Sequence, residues 1–404
     1  MDLFMLQRFG LAAAFASLAV SAKGTGQPGE SGGTPLARCI AAEAQKLDFS
    51  GVVSIVQPEV TTIYAHGLLY KVGSPAIGAE TRFNLGSAGK MFTAVAVAQL
   101  VDAGKIRLDD PIGLRVKGLT PQAAAVTVRQ LLTHSSGLGN FFSPGNLPSI
   151  EKARTVSDLL PLVASDKPSF TPGSRFQYSN SGFMLLGILI ERVSGQSYGQ
   201  YLNLHVFEPA RMAASGLDPG IVSTQAVGMT TMPAHSARPP AGTAPSGPTR
   251  SEAGPGEPRP EGPLRPAPEA ALHGTPAGGS YSTATDMQRF FAVLLGGQLT
   301  SAAMLKELIS PQMVAAQAKG GSPELDYGFG FGVGAAFGHR WFGHNGGAPG
   351  VNIEAAAYPD DRIAMIVMSN RDPPAATTLF RKLRAMLFDP DGMKSCAAQT
   401  PVPK

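Results

Sequence analysis

Arg82-Phe83-Asn84-Leu85-Gly86-Ser87-Ala88-Gly89-Lys90 runs straight into Met91-Phe92-Thr93-Ala94-Val95-Ala96-Val97-Ala98-Gln99-Leu100-Val101. Residues 82–85 read as a short strand, and Ala88 to Ala103, stopped by Gly104, as a helix with no polar face. A helix apolar all round belongs in the middle of a core. Ser87 and Lys90 are three residues apart, so on such a helix the amine shares a face with the hydroxyl and can reach it. The positive end of the helix dipole favours negative charge at Ser87, and desolvation is expected to lower the Lys90 pKa toward that of a usable base. Taken alone, Ser-x-x-Lys describes an N-cap serine beside a surface lysine equally well. It recurs at Ser149-Ile150-Glu151-Lys152, where Ser149 follows Pro148 in a Gly/Pro-rich stretch and reads as the cap of the next helix.

On the N-terminal side, Ala37 to Leu47 reads as a helix, and Phe49–Gln57 and Val60–Leu69 as two strands around Pro58-Glu59. On the C-terminal side come helices at Glu151–Ala164, Ser181–Val193 and Tyr198–Phe207. Strands return at Tyr327–Ala336, Arg340–Gly343, Gly350–Tyr358 and Ile363–Ser369, before a last helix over about Ala375–Phe388. Strands at both ends with helices between predict an α/β (α+β) fold: one antiparallel sheet flanked by N- and C-terminal helices, carrying an inserted all-helical lobe. The expected boundaries are a sheet lobe over 35–86 and 285–392 and a helical lobe over 87–284, with the cleft between them. At 404 residues the chain exceeds the roughly 250–300 at which a single core stops growing, in keeping with that division. Twelve prolines fall between Pro233 and Pro276, where Leu264 and Leu272 are the only large apolar residues, so 233–276 is expected to be a disordered surface insertion.

Two further motifs carry chemistry. Tyr178-Ser179-Asn180 follows the turn Pro172-Gly173 and precedes a helix, and a phenol there could relay protons. A second copy, Tyr201-Leu202-Asn203, lies inside an amphipathic helix, where Tyr201 reads as core. His344-Asn345-Gly346, followed by Gly347, lies between strands. Glycine there lets a substrate approach the backbone, and an exposed N–H could stabilise an oxyanion.

In the order Ser87/Lys90, Tyr178/Asn180, His344/Gly346, the chain resembles the serine β-lactamase and penicillin-binding protein superfamily, nearest its class C β-lactamase, D-aminopeptidase and esterase branch. The likeness runs over about residues 45–390. It takes in Leu131-Leu132-Thr133-His134-Ser135-Ser136-Gly137-Leu138, Ala277-Gly278-Gly279-Ser280-Tyr281-Ser282-Thr283 and Tyr327-Gly328-Phe329-Gly330. The resemblance implies a β-lactamase/transpeptidase-like fold and an acyl-enzyme on Ser87. Lys90 and Tyr178 would share the general-base and leaving-group-acid work, and Asn180 would hold Lys90 and the substrate amide. The N–H groups of Ser87 and Gly347 would form the oxyanion hole, and His344, with Gly346 beside it, would contact Tyr178 and the substrate. Class C β-lactamases resemble this chain except that they carry lysine at the position of His344. Histidine is largely neutral at pH 7, and the His-x-Gly version is similar to D-aminopeptidases, D-Ala-D-Ala carboxypeptidases and many esterases of the superfamily. The resemblance thus implies a short acyl ester, a D-amino-acid peptide or a β-lactam as substrate and speaks against efficient hydrolysis of the last. The contrasting expectation is a binding or sensor protein of the same fold that recognises penicillin or a peptidoglycan fragment and turns over poorly.

Composition narrows the remaining classes. With 43% apolar and 15% charged residues the chain is globular, and a net charge of +4 with scattered basic residues argues against nucleic acid. Arg8, the apolar run Phe9–Val20 and Val20-Ser21-Ala22 read as a signal peptide over 1–22, cut after Ala22. The run is well short of the roughly 20 residues a membrane span needs, so a periplasmic or secreted protein with no stable span is expected. Two cysteines, Cys39 and Cys396, exclude a four-cysteine zinc site and leave a disulfide or two free thiols, with export favouring the bridge. No His-Glu-x-x-His occurs and the histidines are dispersed, so neither metal nor cofactor is expected. His339 and His344, an odd number apart on one strand, should face opposite ways. Gly195-Gln196-Ser197-Tyr198-Gly199 matches the Gly-x-Ser-x-Gly elbow, but it follows a helix rather than a strand, which makes Ser197 a helix cap.

Overall fold

The computed structural model describes residues 34–218, 224–232, 262–267, 273–316, 325–389 and 391–399. The signal peptide expected over 1–22 and most of the proline-rich stretch lie outside them. Twelve strands can be numbered along the described chain: β1 Gly51–Val56, β2 Thr61–His66, β3 Phe83–Asn84, β4 Met229–Thr230, β5 Arg265–Pro266 and β6 Tyr281–Ser282 come first. They are followed by β7 Met313–Ala316, β8 Leu325–Tyr327, β9 Gly332–Ala336, β10 His339–Ala348, β11 Val351–Tyr358 and β12 Ile363–Ser369. The principal helices are α1 Pro35–Lys46, α2 Lys90–Asp102, α3 Val128–Leu132, α4 Asn180–Ser194 and α5 Tyr198–Leu202, then α6 Ala284–Leu295, α7 Ala302–Leu308, α8 Ala375–Phe388 and α9 Gly392–Gln399.

Eight strands form one antiparallel sheet in the order β2-β1-β12-β11-β10-β9-β8-β7. The first and last strands of the sheet in sequence, β1 and β12, pair one strand in from the β2 edge, with Val53 opposite Val367. Both faces are covered, which explains why β1 and β12 read as near-continuous apolar runs. Val52, Val56, Ala364, Ile366 and Met368 enter a large core shared with α2, α4 and α6, while Val53, Ile55, Ile363, Met365 and Val367 pack on α1 and α8. Cys39 on α1 and Cys396 on α9 are joined by a disulfide that ties the last helix to the first.

Helix α2 is the hub of the larger core: every residue from Lys90 to Ala98 is buried. Its aromatic neighbours meet Phe92 edge-on, Phe207 at 5.1 Å and Phe290 at 5.0 Å between ring centres.

Local chemistry departs from the sequence reading at several points. The helix expected over Glu151–Ala164 is two short ones, Leu147–Lys152 and Leu160–Val163, joined through the turn Val156–Leu159. Pro148 and Pro161 each sit in a first turn, and Thr155 caps the middle segment with Asp158 in a reciprocal box. Ser149 is therefore an exposed residue inside a helix rather than its cap. The strand expected over Tyr327–Ala336 is two, because the chain turns at Gly328–Phe331, where the Gly328 N–H donates to the Phe331 carbonyl. Part of the supposed disordered insertion is a strand: Arg265–Pro266 pairs with Met229–Thr230, and Arg265 reaches the Met232 carbonyl at 2.6 Å. Finally, β10 continues beyond Gly343 to Ala348, so His344-Asn345-Gly346-Gly347 lies within a strand and not between two.

Candidate active site

Leu85 follows the short strand β3 and caps Gly86–Gly89, which form one tight turn before α2 begins at Lys90. Ser87 thus stands in a 3-10 turn rather than in the α-helix proper, and it is half-buried while Lys90 is fully enclosed. Gly86 adopts φ +50°, a left-handed conformation that glycine takes without strain. Its amide donates to Asn84 Oδ1 at 2.8 Å.

Strand β10 passes directly behind this turn. Among the described residues β9 pairs only with His339–Gly343, so the half of β10 from His344 to Ala348 is bonded to β11 alone. A Cβ on Gly346 would overlap the Leu85 carbonyl, and one on Gly86 would stand 3.1 Å from the Gly347 nitrogen. Bare backbone at both positions is what lets the Gly346-Gly347 stretch approach the turn that carries Ser87 so closely.

The Lys90 ammonium donates to Ser87 Oγ at 3.2 Å, to Asn180 Oδ1 at 2.8 Å and to the Ala277 carbonyl. It also lies 4.7 Å from the ring centre of Tyr178 and 5.5 Å from that of Phe183. Burying a charge is costly unless acceptors surround it, and these oxygens and ring faces supply the compensation. Asn180 opens α4 behind the Ser179 cap. Its Oδ1 serves Lys90 and its amide nitrogen donates to Asn140 Oδ1 at 2.9 Å, which settles the orientation of the carboxamide.

His344 is buried, 4% exposed. Burial, and then the charge on Lys90, push its pKa down to about 3, so the ring is neutral. Nδ1 lies 2.6 Å from the Asn345 carbonyl, which can only accept, so Nδ1 carries the hydrogen. Nε2 is then an acceptor, and its donor is the Tyr327 hydroxyl at 2.9 Å, whose own pKa burial raises well above the usual value. The expected contact between His344 and Tyr178 is a ring approach at 6.3 Å, and the hydrogen bond goes to Tyr327 instead. The cause is the turn at Gly328–Phe331, which splits the expected strand and leaves Tyr327 on β8, close to β10.

The structure brings Ser87, Lys90, Tyr178, Asn180, His344, Gly346 and Gly347 into one region. Four participants were not singled out by the motif reading: His134, Asn140, the Ala277 carbonyl and Tyr327. Three of them belong to stretches already noted as shared, Leu131–Leu138, Ala277–Thr283 and Tyr327–Gly330. A backbone carbonyl or a neighbour's support gives no residue-type signal by which to pick it out. The competing serines are elsewhere: Ser197 caps α5, accepting from Gln200 N at 3.3 Å. His339 faces away from His344, bonded to Asp361 at 2.8 Å and packed on Phe388. Among the described residues no group of acidic, histidine or cysteine side chains could hold a metal, and no helix is long and apolar enough to cross a membrane.

Comparison with known proteins follows the same lines. The chain is 25% identical over 340 residues to Penicillin-binding protein 4* of Bacillus subtilis (strain 168), covering 81% of this chain and 69% of that one. It superposes on the crystal structure of a penicillin-binding protein from Bacillus halodurans with a TM-score of 0.72 at 26% identity, over 86% of this chain and 98% of the other. The D-amino acid amidase of Ochrobactrum anthropi SV3 shares the fold, with a TM-score of 0.67 at 22% identity over 90% and 98% of the two chains. With the family's sequence profile matching residues 36–387, the chain belongs to the beta-lactamase family.

Proposed function

We propose that this protein is an exported serine hydrolase that cleaves an ester or amide through an acyl-enzyme on Ser87. The observation that carries the reading is the Lys90 ammonium, enclosed in the core and held 3.2 Å from a half-buried hydroxyl. In the reactive form the Lys90–Tyr178 pair holds one proton fewer, as a neutral Lys90 amine beside the phenol or a Tyr178 phenolate beside the ammonium; Ser87 Oγ attacks the substrate carbonyl and its proton passes to that pair. The resulting oxyanion is held by the amides of Ser87 and Gly347, a reading supported by the close approach of the Gly346-Gly347 backbone to the Ser87 turn. The same pair returns the proton to the leaving oxygen or nitrogen as the tetrahedral species collapses. Water then enters by the reverse path and releases the acid. Asn180 keeps Lys90 aimed and has a second amide hydrogen to offer the substrate. Export, with the signal peptide removed, fits the Cys39–Cys396 bridge.

Neutral His344 argues for the substrate class. Both ring nitrogens are engaged, and no positive charge stands at this position to hold the carboxylate of a β-lactam. D-amino-acid amides or peptides and short acyl esters are therefore the favoured substrates over β-lactams. The test is a panel of these three classes on the purified protein, with Ser87→Ala and Ser197→Ala compared under a fluorophosphonate probe. Labelling and turnover should vanish in Ser87→Ala and persist in Ser197→Ala. Label retained in Ser87→Ala would overturn the assignment, and a burst of product without steady turnover would identify a binding protein instead.

A further inference from the structure

His134 lies in the loop after α3, and it grips the chain on both sides of Tyr178. Its carbonyl accepts from the Gln177 N–H at 2.8 Å, and its Nδ1 accepts from the Ser179 N–H at 3.0 Å. Between those two bonds the imidazole lies against the phenol, with ring centres 4.1 Å apart and planes tilted by 35°. Tyr327 closes on the same imidazole at 4.9 Å. Because Ser179 is the cap of α4, the bond to its amide also fixes where Asn180 begins that helix.

This histidine is a poor choice for packing alone. It is fully buried at φ +53°, a left-handed conformation that side-chain-bearing residues adopt at a cost. With Nδ1 accepting, the hydrogen of the neutral ring sits on Nε2, which has no partner among the described residues. A phenylalanine would fill the volume without stranding a donor. What only an imidazole offers here is an acceptor one bond away from a flat face.

We propose that His134 is a positioning residue that holds Tyr178 and Asn180 at their places around Lys90 through its Nδ1 acceptor. The inference rests on the acyl-enzyme reading above. Misplacing a reacting group by about 1 Å can cost on the order of a hundredfold in rate. His134→Phe keeps a ring but loses the acceptor, whereas His134→Asn keeps an acceptor near the Nδ1 position and tolerates the left-handed backbone.

The experiment measures kcat and KM of both variants on the best substrate of the panel, with Ser87→Ala beside them. His134→Phe should lose about thirtyfold or more in kcat with KM within about threefold, and His134→Asn should recover most of that loss. Equal impairment of both variants, or a His134→Phe within about twofold of wild type, overturns the positioning role. Activity surviving in Ser87→Ala instead overturns the acyl-enzyme reading itself. Should His134→Phe not fold, 15N spectra of wild-type imidazoles decide: His134 should show hydrogen on Nε2 only and His344 on Nδ1 only. Hydrogen on Nδ1 of His134 refutes the proposal.

Discussion

The Tyr327 hydroxyl donates to Nε2 of His344 over 2.9 Å, from the end of one strand to the middle of another two strands away in the same sheet. That bond, with the one from Nδ1 to the Asn345 carbonyl, fixes the tautomer and direction of the ring. Two residues further along β10 is Gly346, which packs on Leu85 and so on the turn that carries Ser87.

Tyr327→Phe removes that donor and leaves Nε2 an unmatched acceptor in the core. The variant should lose about 1–3 kcal/mol of stability by thermal or denaturant unfolding. With β10 less firmly held, kcat/KM should fall by about tenfold. A variant unchanged in both would show that the bond neither stabilises the strand nor aligns the site.

Gly346→Ala drives a methyl group into the Leu85 carbonyl, a backbone atom that cannot rotate away. Overpacking of this kind costs about 1–3 kcal/mol. Because the displaced backbone carries the Ser87 and Gly347 amides, kcat/KM should drop by about a hundredfold. Gly78→Ala is the control: nothing lies within 4 Å of its Cβ, and it should stay within about 0.5 kcal/mol of wild type. Equal behaviour of the two variants contradicts the close-approach account.

Stability against pH tests the buried titrating groups. Burial raises Glu354 on β11 to about 7, partly offset by the Thr377 hydroxyl at 2.7 Å. The folded chain therefore holds a proton there that the unfolded chain has lost, and stability falls as pH rises from about 4.5 to 7. His344, pushed down to about 3, and His134, also lowered by burial, have the opposite sign: the unfolded chain binds protons first, so stability falls as pH drops below 6.5. Glu354→Gln should thus be more stable than wild type at pH 8 and lose this advantage by pH 4, read from denaturant midpoints. Activity should show no limb near 6.5 that disappears in His344→Asn.

Replacing Cys39 and Cys396 by serine opens a covalent link across 357 residues of sequence. The loss should be about 2–5 kcal/mol in unfolding. The bridge joins α1 to α9, and α1 packs on the sheet face opposite α2, so kcat should stay within about twofold of wild type under conditions where the variant is folded. A large kcat loss in a folded variant would show that the terminal helices reach the site.

The sequence by itself determined the periodic elements and the three motif positions. Short apolar runs bounded by turns located β1, β11 and β12, the unbroken apolar run marked α2 as central, and the order of Ser87, Tyr178 and His344 carried the resemblance from which their convergence was expected. These are local properties: a period, a cap, an i to i+3 spacing. Tertiary structure alone decided what each group touches. No spacing foretells that a carbonyl at Ala277 receives the Lys90 ammonium, or that His344 is served by Tyr327 and not by Tyr178. Nor does any spacing place His134 astride Tyr178. The Tyr327–His344 pairing depends on the register of strands far along the chain from Ser87, and the other two on how loops pack around its turn. Registry follows from packing summed over the whole core and leaves no trace in any one segment.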